Sequence, residues 1–76
     1  MSDATGRAWE DRAAALLRAE LKRNGVTYSQ LVDKLALIGV KEAEPNVRNK
    51  LYRGKFTAVF LLQCLSAIGC ESISLR

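Results

Sequence analysis

Four segments with helical periodicity each end at a glycine, and this regular spacing of helix ends limits the folds that the chain can adopt. The glycines are Gly25, Gly39, Gly54 and Gly69. Glycine adopts the left-handed conformation that closes many helices, so each one predicts a helix end. With 76 residues the chain has length for one domain. We therefore predict a single all-α domain over residues 1–76, in which residues 1–6 are flexible and residues 70–76 form a short tail.

The first two segments carry apolar residues at the spacing of amphipathic helices. The apolar positions of the first, which runs over residues 7–24, are Trp9, Ala13, Leu16, Leu17 and Leu21. We expect Trp9 to pack in the core, or otherwise at an interface. Thr27 opens the second segment, where its hydroxyl and the Gln30 side chain can form a capping box. The predicted inward face of this helix comprises Leu31, Leu35 and Ile38, ahead of Gly39.

The third segment has few apolar residues, and its polar ones gather on one side. Pro45 suits the first turn of a helix, where its missing N–H is not needed, and Gly54 marks the end. Val47 and Leu51 lie one turn apart and are predicted to anchor this helix, which we place at residues 45–53. The Tyr52 ring is expected to pack against the body of the protein. The residues predicted to face outward are Asn46, Asn49, Lys50 and Arg53.

The fourth segment is apolar on nearly every side. Thr57 can cap it, and the polar positions within residues 58–68 are Gln63 and Ser66. Such a helix has to be buried on more than one side, in the domain or under a second chain. We expect a homodimer contact through the large apolar residues of this region, which are Phe56, Phe60, Leu61 and Leu62.

The net charge of +4 is concentrated in one stretch of the chain. Cations and acids balance from residue 1 to residue 44, and Glu71 offsets Arg76. The excess comes from Arg48, Lys50, Arg53 and Lys55. A local excess of this kind predicts a positive potential that attracts polyanions.

The side chains predicted on the outer face of the third helix are of the kinds that read DNA. Asparagine pairs bidentately with adenine in the major groove, and arginine or lysine pairs with guanine. Lys55 lies just beyond the predicted helix end, where its ammonium group can meet a phosphate. A polar outer face is also the norm for a surface helix, so this pattern alone leaves both interpretations open.

Three motifs follow one another along the chain: "NGVTYSQLVDKL", "VRNKLYRGKF" and an apolar helix that ends in glycine. Between residues 16 and 69 this order resembles the Cro/repressor-type (lambda-repressor-like) helix-turn-helix family. The matching positions are Gly25–Val26–Thr27, Leu31–Val32 and Gly54–Lys55. The chain is also similar to a small bacterial family of uncharacterised single-domain proteins that carry "RGKF" before an apolar helix.

The helix-turn-helix resemblance implies a compact four- to five-helix bundle, dimeric binding of double-stranded DNA and a recognition helix in the major groove. It implies base contacts for Asn46, Asn49, Lys50 and Arg53, and a backbone contact for Lys55. Tyr28 stands where that family usually has a phosphate-binding glutamine, and Gln30 lies two residues further on. Tyr28 is either a solvated surface residue or a phosphate contact, and we count both residues as candidate DNA contacts. The turn before the third helix is longer than the family's and could serve as a protein contact.

The sequence offers little for catalysis or cofactor binding. Histidine is absent, and no Gly-rich phosphate loop or metal-spaced cluster is visible, so we predict no enzyme, no cofactor and no metal site. Cys64 and Cys70 are predicted to be buried structural thiols. The chain shows no apolar run of membrane-spanning length and no signal-peptide pattern, which predicts a cytoplasmic protein without a membrane partner.

Two functions follow as hypotheses. The first is a small transcriptional regulator that binds DNA as a homodimer, with Arg48, Lys50, Arg53 and Lys55 neutralising phosphates and contributing to readout. The second is a protein-interaction module, an adaptor or an antitoxin-like partner, on the same scaffold. The long "KEAE" turn and the apolar fourth helix motivate this alternative.

Overall fold

The computed structural model describes residues 3–75, with side chains from residue 5 onward. Four α-helices occur in this range: α1 (Asp3–Arg23), α2 (Tyr28–Leu37), α3 (Glu44–Arg53) and α4 (Ala58–Ala67). Residues 3–75 contain no strand. The predictions of an all-α class and of a compact bundle are therefore confirmed, with four helices. Between residues 3 and 75, none of the helices meets the length and hydrophobicity that a membrane-spanning segment requires.

The first helix begins earlier than the periodicity predicts. Residues 3–6, which we expected to be flexible, belong to α1, and residues 1–2 lie outside the described range. At the other end of the chain, residues 70–75 follow α4 and return to the surface of α1, and residue 76, the last of the predicted tail, lies outside the described range. Arg12 Nη2 donates to the Leu75 carbonyl oxygen at 2.7 Å, and Cys70 Sγ donates to Glu20 Oε1 at 3.2 Å. These contacts hold the tail against the surface of α1.

Local side-chain and backbone chemistry sets the helix ends. Thr27 Oγ1 accepts from the Gln30 N–H at 3.1 Å while Gln30 Oε1 accepts from the Thr27 N–H at 2.9 Å, so the predicted capping box is confirmed. Thr57 Oγ1 accepts from the Phe60 N–H at 3.0 Å and starts α4. Gly54 closes α3 in the left-handed conformation, with φ +66°, and donates its N–H to the Lys50 carbonyl.

The four helices surround one apolar core. Helices α1 and α2 do not pack directly on each other; each of them packs against both α3 and α4. The core residues are Leu17, Leu21, Leu31, Leu35, Val47, Leu51, Phe60, Cys64 and Leu65. Because Val47 and Leu51 are fully buried, the predicted anchoring of α3 is confirmed.

Three apolar residues predicted to be buried are exposed instead. Trp9 is 61% exposed, because α1 enters the core only from Ala14 onward, and Arg12 covers its ring at 4.8 Å. Ile38 is 47% exposed, because α2 ends at Leu37 and the chain leaves the helical phase there. Tyr52 is 86% exposed, because the backbone of α3 lies close only to α1 and α2 and the Tyr52 ring is covered by neither of them.

The two cysteines are free thiols in different environments. Cys64 is fully buried, as predicted, and burial, followed by the nearby Glu42 carboxylate, raises the pKa of its thiol to about 12. Cys70 is only half-buried. Its hydrogen bond to the Glu20 carboxylate raises its pKa. The prediction of a buried thiol is therefore wrong for Cys70, which lies in the tail beyond the core.

Candidate nucleic-acid interface

Helix α3 is held against α1 at its C-terminal end by a hydrogen bond and a close backbone contact. Arg18 Nη1 donates to the Leu51 carbonyl oxygen at 2.9 Å and so satisfies one of the carbonyls that a helix end leaves unpaired. Gly54 is the first residue after α3, and it packs so closely on α1 that a Cβ there would lie 2.7 Å from the Glu10 carbonyl carbon. Together with the buried anchors Val47 and Leu51, these contacts fix which side of α3 faces solvent.

The side of α3 that points away from the anchors carries amides and cations. Asn46, Asn49 and Arg53 are all exposed there, and Lys55 is exposed just beyond the helix end. Arg53 and Lys55 make no ion pair with any side chain in the described part of the chain. We call these four residues, Asn46, Asn49, Arg53 and Lys55, the α3 outer face. Since no acid neutralises its two cations, their charge remains available to an anionic partner.

Lys50 does not belong to the α3 outer face. Its Nζ lies 2.8 Å from Glu42 Oε2 and 4.4 Å from the centroid of the Phe60 ring, and its side chain is half-buried. The prediction that Lys50 faces outward is therefore wrong. Its helical position borders the buried stripe of Val47 and Leu51, and both the turn before α3 and the start of α4 cover it.

Arg48 is exposed but lies on the flank of α3 that faces α2. Its Nη2 is 3.3 Å from Glu44 Oε1, and its guanidinium lies 5.7 Å from the centroid of the Tyr28 ring. An exposed ion pair one helical turn apart contributes only about 0.3–0.5 kcal/mol. A phosphate group can therefore compete with Glu44 for this guanidinium.

Tyr28 and Arg48 line an open groove between α1 and the starts of α2 and α3, with a volume of about 500 Å³. We call it the α1–α2 groove; its other lining residues are Arg18, Leu21, Lys22, Val26, Thr27 and Glu44. Three cations thus stand against one carboxylate around a partly apolar floor. Sequence reasoning missed Arg18 and Lys22, because acids elsewhere in α1 balance their charges along the chain. Their spacing of four residues places Arg18 and Lys22 on the same side of a helix, and this spacing was the sequence signal that could have revealed them.

Gln30, a predicted DNA contact, is exposed but does not line this groove, and its Oε1 is engaged in the capping box with Thr27. Its amide NH₂ remains free to donate to a partner, since the capping box uses only the oxygen. Whether it contacts DNA stays a prediction.

The predicted dimer residues divide between core and surface. Phe60 is 4% exposed and packs edge-to-face on Phe56, with ring centroids 5.7 Å apart. The prediction that Phe60 lies at the surface is therefore wrong. Phe56 and Leu61 are half-buried against the core, so only part of each side chain is exposed for a dimer contact. Leu62 is 65% exposed, and Val59, one turn earlier on α4, is 63% exposed.

The fold and the α3 outer face define a small all-α domain. Four helices surround one core, and α3 with the residues just beyond its end presents amides and unpaired cations to solvent. The chain belongs to the family described as Domain of unknown function (DUF6471), whose model matches residues 9–73. That match spans most of α1, the whole of α2, α3 and α4, and both surfaces described above. No curated protein and no solved structure matches the chain.

Proposed function

We propose that the chain is a small cytoplasmic regulator of transcription, without enzymatic activity or cofactor, that binds double-stranded DNA through α3 as helix-turn-helix proteins do. The observation that carries this proposal is the exposure of Asn49 and Arg53 on a face that holds no acid. Helix α3 is anchored on the side opposite to that face, so the backbone that carries these exposed side chains is in place before a partner arrives. A helix that is already ordered loses less conformational entropy on binding than one that folds on its partner.

The members of the α3 outer face have the chemistry for distinct roles in a major groove. Asn46 and Asn49 can each pair with the N6 and N7 edge of adenine, and Arg53 can donate two hydrogen bonds to guanine. Lys55, beyond the end of α3, is suited to a phosphate. Phosphate contacts fix the register of a protein on the duplex, whereas base contacts specify the sequence.

The α1–α2 groove supports the same proposal from a second direction. Lys22 and Arg48 border it, and the exposed pair between Arg48 and Glu44 is weak enough to exchange for a phosphate. The Tyr28 hydroxyl can donate a hydrogen bond to a phosphate of the same DNA strand that Arg48 would contact. Lys22 and Tyr28 lie beside α3 and Arg48 lies on its flank, so all three would follow the DNA backbone next to the groove that α3 enters.

A homodimer through α4 fits this arrangement. Val59 and Leu62 are the exposed large apolar residues of α4, and isologous contact of such a patch with its copy gives a two-fold dimer. Helix α4 contacts α3 through Phe60 and Lys50, neither of which belongs to the α3 outer face, so a dimer contact at Val59 and Leu62 leaves that face uncovered. Light scattering on the purified chain should give twice the monomer mass, and Leu62→Lys should return it to the monomer mass.

A protein-interaction module is the second candidate, and exposed apolar side chains away from α3 favour it. Leu37 is 86% exposed and Ile38 is 47% exposed at the end of α2. The acids of the "KEAE" segment do not add to that surface, because Glu42, in the turn before α3, pairs with Lys50, and Glu44, at the start of α3, pairs with Arg48. A protein partner at Leu37 and Ile38 would leave the α3 outer face unused.

A fluorescence anisotropy titration with random-sequence duplex DNA at several salt concentrations tests the proposal. The logarithm of the binding constant falls with the logarithm of salt concentration by about 0.9 per neutralised phosphate. Arg53 and Lys55 alone give a slope of about −2 per chain, and Arg48 and Lys22 extend it to about −4. A flat salt response, or no binding near micromolar protein, contradicts the proposal.

The double variant Asn49→Ala, Arg53→Ala separates the two candidate functions. Loss of these groups should weaken binding to a preferred duplex by about tenfold or more. Arg12→Ala is the charge-matched control, because Arg12 lies at the tail side of α1 and contacts Trp9 and Leu75. Unchanged DNA affinity in the double variant, together with loss of a partner in Leu37→Asp, favours the interaction module.

A further inference from the structure

Tyr52 extends the α3 outer face with an aromatic ring. It is 86% exposed, although the sequence pattern predicted a packed ring. Residues three positions apart are neighbours on a helix surface, so Tyr52 lies beside Asn49, and it immediately precedes Arg53. Its ring thus lies on the exposed surface of α3, at the edge of the α3 outer face next to Asn49.

The major groove offers one apolar group to such a ring, the C5 methyl of thymine. This methyl belongs to the same base pair as the adenine edge that an asparagine reads. A helix that aims Asn49 at adenine therefore brings Tyr52 close to the thymine of that pair or of the pair next to it. Burial of a large exposed apolar surface against that methyl removes both from water.

We infer that Tyr52 is a specificity-determining residue whose ring packs on a thymine C5 methyl, so that the recognised site requires an A·T pair beside the Asn49 contact. This inference rests on the proposed DNA binding and names the base that a residue beside the α3 outer face contacts. The ring makes the contact, and the phenolic hydroxyl is not needed for it.

A chemical double-mutant cycle tests the contact. The wild-type chain first selects duplexes from a random-sequence pool, and each thymine of the selected duplex is then replaced in turn by uracil, which differs only by that methyl. At one thymine, uracil should weaken wild-type binding by about fourfold, the value of burying one methyl-sized group. Tyr52→Phe should keep this fourfold effect, and Tyr52→Ala should abolish it, so that both duplexes bind the variant equally.

Three results would overturn the inference while leaving the proposed function intact: no thymine at which uracil matters, an equal uracil effect in wild type and Tyr52→Ala, or loss of the effect in Tyr52→Phe. The last would assign the contact to the hydroxyl. Failure of the wild-type chain to select or bind any duplex has a different signature and overturns the proposed function together with this inference. Since Tyr52 is exposed, far-UV circular dichroism of each variant should match that of the wild type.

Discussion

Gly54→Ala is expected to destabilise the fold much more than the same change at Gly25. Both glycines have left-handed backbones, with φ +66° at Gly54 and +67° at Gly25. An added Cβ at Gly54 would lie 2.7 Å from the carbonyl carbon of Glu10, whereas an added Cβ at Gly25 meets nothing within 4 Å. The two substitutions therefore share the backbone strain, and only Gly54→Ala forces α3 away from α1.

The magnitudes follow from these two contributions. A left-handed conformation costs a residue with a Cβ about 1–2 kcal/mol. Overpacking at a tight contact adds about 1–3 kcal/mol. Gly25→Ala should thus lower the free energy of unfolding by about 1–2 kcal/mol, and Gly54→Ala by about 2–5 kcal/mol. A chain of this length has a total stability of roughly 4–11 kcal/mol, so the larger loss is readily measured.

Urea titrations followed by far-UV circular dichroism measure the loss of unfolding free energy in both variants under the same conditions. The slope of free energy against urea should be unchanged, which keeps the comparison of midpoints valid. If Gly54→Ala and Gly25→Ala lose the same stability, the close contact between the end of α3 and Glu10 is not a feature of the folded chain. The argument that α1 fixes the orientation of the α3 outer face would then lose its support.

Three further predictions concern the capping box, an anchor and a thiol. Thr27→Ala should cost about 1 kcal/mol in the same urea titrations, and Ser29→Ala, exposed in the same helical turn, should cost almost nothing. Leu51→Ala should cost about 2–5 kcal/mol and weaken DNA binding in parallel, because α3 loses an anchor. Burial raises the pKa of Cys64 from 9.0 to about 12, so the folded chain holds this proton more tightly than the unfolded chain. Its contribution to stability is complete below pH 9 and is lost toward pH 12, and Cys64→Ala should flatten the fall of unfolding free energy over that window.

The parts of the fold that the sequence predicted well depend on residues close together in the chain. The capping box at Thr27 and the left-handed end at Gly54 depend on residues within one or two turns of each other, so spacing alone reveals them. The buried pair Val47 and Leu51 follows from helical periodicity in the same way. These features also place Asn49 and Arg53 on the exposed side of α3, which is the core of the candidate site.

Contacts between distant segments account for what the sequence did not predict. Lys50 turns inward because Glu42 and the Phe60 ring, from two other segments, surround its ammonium group. Tyr52 stays outside because neither α1 nor α2 reaches its side of α3. Arg18 joins the α1–α2 groove only once α1 and α3 are packed. Periodicity gives the face of a helix, but the neighbour that covers each face depends on the packing of all four helices.

The most direct test of DNA binding through α3 is an NMR titration of the ¹⁵N-labelled chain with the selected duplex. The account predicts that the amide signals of Asn46, Asn49 and Arg53 shift most, that signals around the α1–α2 groove shift next, and that those of Val59 and Leu62 on α4 stay nearly constant. Shifts confined to α4 or to the end of α2, with α3 unperturbed, would contradict it.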